Sequence, residues 1–449
     1  MKIDIKIKAL IAIAIVSFFI LVACQPDDYK NVIGTVDSNQ QDTLDTSAQT
    51  TPETITTPPE TTAPQTTAPP IVTTAKPKTT NKAVTPAVTT KSSAGGSTGG
   101  GTTGSGVQPI ACTTPEQQAA YAEIVAGIKN YQTKIPITAK ITTAELSKIF
   151  TIIKSNEYMY VHIPLGYKYE YSPSTGYITA ILFLDKYPYT CSQAVGQQAT
   201  ATLQNKVNEI FAGITVGMSD FDKIKYFHDT IIKNCVYNID APNAYTAYGA
   251  LVDGQAGCEG YSKAMALLCN AGGIECIIAT GTGNGTSHMW NMLKCNGTWY
   301  QMDVTFDDPV GKGFDADYVG YDYFNITTAQ ISNDHVLLTV LYTSVPSATA
   351  TGDNYYVKIG AFANSLEEAK AMLKQQLINA ANANSDTASI RLSSQTLYNS
   401  TYTNLFSNGG LNETIQAVNA AVGNKITSSS YTINDNTPGQ NIITLFIKY

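Results

Sequence analysis

The stretch HMWNMLKCNGTWYQMDVTF, residues 288–306, restricts the fold more than any other part of this chain. Two strand-like runs flank Asn296-Gly297, a strong short-range signal for a two-residue hairpin turn because both central positions take positive φ. With these residues as the turn, Trp290 faces Asp303 and His288 faces Thr305. Side chains alternate along a strand, so His288 and Trp290 share a face, and His288 and Asp303 become diagonal neighbours on it. Diagonal Cβ atoms lie about 7–8 Å apart or closer, near the span of an imidazole–carboxylate hydrogen bond. A slip of one residue would break this pairing, since it turns one partner to the opposite face.

Earlier in the chain, GQAGCEGYSKAMALLCNAGG sets Cys258 directly after Gly257, at the start of a helical pattern. Tyr261, Ala264, Met265 and Leu268 share one helical face, and Gly272-Gly273 ends it. A thiol there has two readings. Free cysteine is among the most buried residue types and serves as a small hydrophobe. Alternatively, the positive end of the helix dipole favours its thiolate and makes it a nucleophile. The hairpin weighs for the second, because an Asp that orients a His, and a His that deprotonates a Cys, form a nucleophile–base–orienter unit. Around these two elements, Ser219 and Asp222 read as a helix start close to a capping box. Phe221, Ile224, His228, Ile231 and Ile232 follow at helical spacing, and IECIIAT reads as a buried strand.

The segments AYGALVDGQAGCEGYSKA, SHMWNM and WYQMDVTFDDP resemble the cysteine, histidine and aspartate motifs of the transglutaminase-like superfamily, in that order. FHDTIIKNCVYN upstream and YDYFNITTAQISNDH downstream are similar to bacterial members, so the resemblance runs from about Ser219 to His335. It implies a papain-like α+β core, with the helix bearing Cys258 packed on an antiparallel sheet bearing His288 and Asp303. It further implies Cys258 as nucleophile, His288 as base and Asp303 as orienter. The chemistry implied is acyl transfer: a Cys258 thioester forms from an amide and is resolved by water or an amine. The backbone N–H of Cys258 is one oxyanion donor, and Tyr248 and Gln255 are candidates for the second.

Other polar residues carry blander readings. His228 lies on the apolar face of its helix and reads as a satisfied core histidine. His335 follows Asp334 beyond the two strands and reads as structural, His162 belongs to no motif, and Cys269 reads as core. Asp307, Asp308, Asp315 and Asp317 lack the spacing of a calcium loop and read as a solvated acidic loop. No metal and no cofactor is expected.

At 449 residues the chain is too long for one core. Its start, MKIDIKIKALIAIAIVSFFILVAC, has Lys2, Lys6 and Lys8 ahead of an apolar run from Ala9 to Val22. Leu21-Val22-Ala23-Cys24 resembles the lipobox of bacterial lipoproteins, which implies cleavage before Cys24 and a diacylglyceryl anchor on its sulfur. From Tyr29 to Pro109 the Thr/Pro-rich and then Gly-rich composition lacks an apolar period and cannot offset its ordering entropy. The expected organisation is therefore a signal peptide over 1–23, a disordered stalk over 24–110 and an α+β unit over 111–190. A transglutaminase-like catalytic domain over 191–345 and a second α+β unit over 346–449 follow. Each flank shows helical stretches and a hairpin, YKYEYSPSTGYITAILFLDKY and SSSYTINDNTPGQNIITLFIKY, as if one small unit were repeated.

The net charge is -7, with no basic stripe beyond the first residues, which excludes nucleic acid as an expected partner. Cys24 is one of eight cysteines, and the pairing of the rest is not readable from spacing. The function expected is that of a lipid-anchored cell-surface enzyme acting on amides of proteins or peptidoglycan peptides at the cell wall. The alternative is a non-catalytic surface binding module built on the same fold.

Overall fold

The computed structural model describes residues 112–184, 187–308, 318–339, 345–423, 425–433 and 439–449. The expected signal peptide, Cys24, the expected stalk, Asp315 and Asp317 lie outside the described residues. Among the described residues, no helix is long and apolar enough to cross a membrane.

The first flank begins with α1 (Pro115–Lys129), whose Thr114 cap accepts from the Gln117 amide while proline occupies the first turn. It continues through β1 (Lys134–Pro136), α2 (Thr143–Asn156), β2 (Lys168–Tyr171) and β3 (Ile178–Leu182). A reciprocal capping box between Thr142 and Glu145 starts α2. The three strands form an antiparallel sheet in the order β1-β3-β2. Ile124, Ile128, Ile135, Leu146, Ile149 and Ile181 fill the space between sheet and helices.

The central region opens with α3 (Gln193–Phe211) and α4 (Asp220–Asn234). The Ser219–Asp222 capping box starts α4, and Ile224, Phe227, His228, Ile231 and Ile232 face inward. A short parallel pair, β4 (Val236–Tyr237) with β5 (Gln255–Ala256), brackets a π-helical turn at Gly249–Asp253. Next come α5 (Cys258–Ala271), β6 (Cys276–Gly283), β7 (Thr286–Cys295), β8 (Thr298–Met302), α6 (Thr328–Ile331) and β9 (His335–Leu337). The sheet runs β8-β7-β6-β9 and is antiparallel throughout. Its hairpin has the register expected from Asn-Gly: Cys295 pairs with Thr298 and Asn291 with Met302. Asn296 and Gly297 have φ of 49° and 80°, as such a turn requires. Tyr261, Ala264, Met265 and Leu268 of α5 share one core with Met289, Leu293, Tyr300 and Met302 of the hairpin. That packing sets the start of α5 against the sheet.

The second flank holds α7 (Tyr355–Lys358), β10 (Phe362–Ala363), α8 (Leu366–Ala383), β11 (Thr387–Leu392), α9 (Gln395–Tyr402), α10 (Gly410–Val422), β12 (Ser428–Ile433) and β13 (Ile442–Lys448). The sheet order is β10-β11-β13-β12, with a parallel β10–β11 pair. The first flank has three antiparallel strands in the order β1-β3-β2, so the expected repeat of one unit does not hold. Similar hairpin endings carried the likeness, and the crossover before β11 removes it. The whole is α+β, a helix-on-antiparallel-sheet core between two small α+β units.

Candidate active site

Cys258 is the first residue of α5 and is 1% exposed. Gly257, in extended conformation, caps the helix, and its N–H donates to the Ala244 carbonyl at 2.9 Å. Gly260 is required by close approach, since a Cβ there would lie 2.5 Å from the Ala244 carbonyl oxygen. The first turn of α5 is thereby pressed against the preceding loop. The sulfur sits at the positive end of a 14-residue helix, where a thiolate is favoured.

His288 on β7 and Asp303, just past β8, meet as the hairpin register implies. His288 Nε2 lies 2.6 Å from Asp303 Oδ2, with the two residues 6% and 0% exposed. Asp303 Oδ1 accepts from the backbone amides of Thr305 and Phe306 at 2.9 and 3.0 Å. With Nε2 committed to Asp303, Nδ1 is the His288 nitrogen left for the thiol. Two bonds hold this strand and its following loop against the cysteine helix. Asn291 Nδ2 donates to the Ser262 carbonyl at 3.0 Å, and the Tyr261 hydroxyl donates to Asp308 Oδ2 at 2.5 Å.

Asp303 carries a second histidine, which sequence reading placed outside the site. His335 Nε2 lies 2.9 Å from the same Oδ2, and its Nδ1 lies 2.5 Å from Asp334 Oδ1. β9 carries His335 onto the aspartate that pairs with His288. Burial pushes the Asp303 carboxyl up, but His288 and His335 outweigh it and hold the group well below the usual carboxylate range. Burial pushes His335 down, but Asp303 and Asp334 outweigh that and raise it to about 9. Phe306 and Trp290 pack near both imidazoles and limit water.

His288, Asp303 and His335 bring ligand-type atoms within 4.8 Å of one another. Facing an ionised carboxylate oxygen, each Nε2 is the ring nitrogen placed to donate to Oδ2.

The remaining sequence candidates separate. Tyr248 is half-buried and lines a cleft, while Gln255 is exposed and its Oε1 accepts from Asn238 at 2.8 Å. His228 is fully buried between Asp229 and Asp307, at 3.0 and 3.1 Å, and both carboxylates raise its basicity against the effect of burial. Asp307 and Asp308 are 1% and 6% exposed, so they do not belong to a solvated acidic loop. Their bonds to His228, the Tyr323 amide and Tyr261 explain their burial. Cys269 lies in the core beside Cys276 and Cys295, and all three are free thiols.

Residues 208–304 match the family model of the transglutaminase-like superfamily. Among solved structures, the chain is similar to a TGase at 14% identity, over 34% of this chain and 46% of that one, with a TM-score of 0.21. It is also similar to a candidate cysteine protease from Cytophaga hutchinsonii at 18% identity, over 34% and 48% of the two chains, with a TM-score of 0.22. The chain thus spans about half the length of the solved structures it matches. Comparison with curated proteins finds no match.

Proposed function

We propose that this chain is a cysteine enzyme that opens amide bonds through a thioester on Cys258. One observation carries the reading. The hairpin closes a 2.6 Å bond between His288 and Asp303 and packs against the helix that begins at Cys258. The family match over 208–304 covers all three residues and supports the same chemistry.

In the reduced protein, His288 takes the Cys258 proton, and the thiolate attacks the carbonyl carbon of an amide. The Cys258 backbone N–H donates to the developing oxyanion. His288 then passes its proton to the departing nitrogen, the C–N bond breaks, and ammonia or an amine leaves a thioester. Water or an amine attacks the thioester carbonyl while His288 accepts its proton, releasing an acid or a new amide and restoring the thiol. Asp303 keeps the His288 tautomer and supports the imidazolium at each stage.

A cleft of about 670 Å³ flanks the same helix, lined by Tyr160, Ile163, Tyr245, Tyr248, Glu259 and Lys263. Glu259 follows Cys258 directly, but Cys258, His288 and Asp303 do not themselves line this cleft. The substrate class proposed is a protein or a peptidoglycan peptide, met at the cell surface by a chain anchored through lipidated Cys24. The Leu-Val-Ala-Cys end of the apolar leader supports the anchor.

The test offers a glutamine-containing peptide or a wall peptide, with and without a primary amine, to the reduced chain and to Cys258→Ala. Ammonia or peptide release without amine incorporation makes it a hydrolase, and incorporation makes it a cross-linker. Equal product from Cys258→Ala, or no thioester on Cys258 with either donor, contradicts the proposal and leaves a binding module as the better reading.

A further inference from the structure

The following rests on the Cys258–His288–Asp303 reading above and extends it by one residue. We propose that His335 is a positioning residue of this site. Held as an imidazolium between Asp303 and Asp334, it fixes the Asp303 carboxylate and limits how tightly that carboxylate holds the His288 proton.

The geometry assigns the charge. Both His335 nitrogens face carboxylate oxygens, Asp303 Oδ2 at 2.9 Å and Asp334 Oδ1 at 2.5 Å, and its side chain is fully buried. Ionised carboxylates only accept, so both nitrogens carry protons. Two buried carboxylates would repel each other, and one imidazolium between them removes that cost. Asp334 is held in turn by the Tyr323 hydroxyl, which donates to its Oδ2 at 2.5 Å. The titratable groups that face His335 are therefore Asp303, Asp334, His288 and Tyr323. The His288 and Tyr323 rings stand at 5.3 and 5.6 Å from its own.

The backbone is shaped for this contact. His335 begins β9, which pairs with β6 so that Gly283 opposes His335 and Gly281 opposes Leu337. A Cβ at Gly281 would lie 2.0 Å from the Val336 carbonyl oxygen, so only glycine lets β9 come this close. At Gly283 a Cβ would meet the His288 ring and Phe306 at 3.0 Å. Both histidines thus depend on glycines of one strand.

The consequence follows from charge. Asp303 Oδ2 serves two Nε2–H donors, so the carboxylate's hold on an imidazolium at 288 is divided. The positive His335 also repels that imidazolium and favours a thiolate at Cys258. His288 then gives its proton to a leaving nitrogen more readily. Without the charge at 335, His288 holds its proton more tightly and Cys258 ionises at higher pH.

The test needs no substrate. Iodoacetamide alkylation of Cys258 is followed by peptide mapping across pH in the reduced full chain and in His335→Gln, Asp334→Asn, His288→Ala and His228→Gln. Glutamine keeps one N–H near the Nε2 position but no charge. The proposal expects His335→Gln to move the alkylation midpoint upward by about one pH unit, slowing the reaction at neutral pH roughly tenfold. Asp334→Asn should shift it the same way by less. His228→Gln removes an equally buried, doubly paired histidine and should leave the midpoint in place, which separates positioning from a general loss of packing. If His335→Gln fails to fold, Asp334→Asn decides. A folded variant at 335 or 334 that keeps the wild-type midpoint overturns the proposal, as does an equal shift from His228→Gln. If His288→Ala leaves the wild-type profile unchanged, the Cys–His reading fails, and this proposal falls with it.

Discussion

Asp303 is the residue on which the site's polar bonds converge. It accepts from two backbone amides and two imidazoles and is fully buried. Asparagine has one acceptor and one donor group in its place, so an N–H must face either the imidazoles or the amides. Breaking a buried pair from one side typically costs about 3–5 kcal/mol, and here two histidines lose their partner. We expect Asp303→Asn to lower stability by an amount near that range in urea unfolding, and to reduce the rate by roughly 10³–10⁴ through the wrong His288 tautomer. A pH signature accompanies it. The folded state raises His335 from 6.5 to about 9, so its stabilisation is fully present below pH 6.5 and fades as pH rises through 9. Asp303→Asn should flatten that loss. Cys258, His288 and Asp303 were legible because a helix start and an Asn-Gly hairpin are local signals. His335 was not, because a lone histidine beside an aspartate has no pattern until β9 pairs with β6.

At the scale of elements, the hairpin turn is clamped from outside. Asn296 Nδ2 donates to Asp353 Oδ1 at 3.0 Å, the Tyr300 hydroxyl donates to Asp353 Oδ2 at 3.4 Å, and Lys358 Nζ lies 2.9 Å from Oδ1. Asp353→Ala should cost about 1–3 kcal/mol by leaving these donors without their acceptor, read as a lower urea midpoint with an unchanged slope. The elements found from the chain alone are those with a period or a cap, such as α4 behind its Ser219–Asp222 box. The shortest elements of the central region escaped. β4, β5 and β9 are too short to show alternation, and the π-helical turn at Gly249–Asp253 has no period of its own, though its first residue must be glycine because a Cβ there would lie 2.2 Å from the Asn243 carbonyl oxygen.

On the scale of the molecule, both flanks have an apolar interior of their own and both pack on the core. The first is built around Ile124, Ile149 and Ile181, and its Tyr158 and Met159 pack against the central cluster. The second is tied into the centre: Tyr321 and Tyr355 stack at 3.7 Å and pack against both apolar clusters. Arg391, buried on β11, donates to the Asp322 carbonyl and to the Gln440 side chain. A chain ending at 345 should therefore unfold or aggregate, and one starting near 191, which loses Tyr158 and Met159 from the central cluster, should melt at a lower temperature than the full chain, as circular dichroism would report. The tie between the second flank and the centre was hidden in the chain. It arises from contacts between residues far apart in sequence, such as Arg391 with Asp322.

The central claim is that Cys258 is an activated nucleophile, and its thiol reactivity tests this most directly. The reduced protein is exposed briefly to iodoacetamide at pH 6 to 9, and the rate at each cysteine is mapped by mass spectrometry. Cys112 and Cys191, the part-exposed free thiols among the described residues, serve as internal standards. The account predicts that Cys258, though 1% exposed, reacts faster than both below pH 8 and loses that advantage in His288→Ala. A Cys258 rate no greater than that of Cys112 and Cys191, with or without His288, would contradict it.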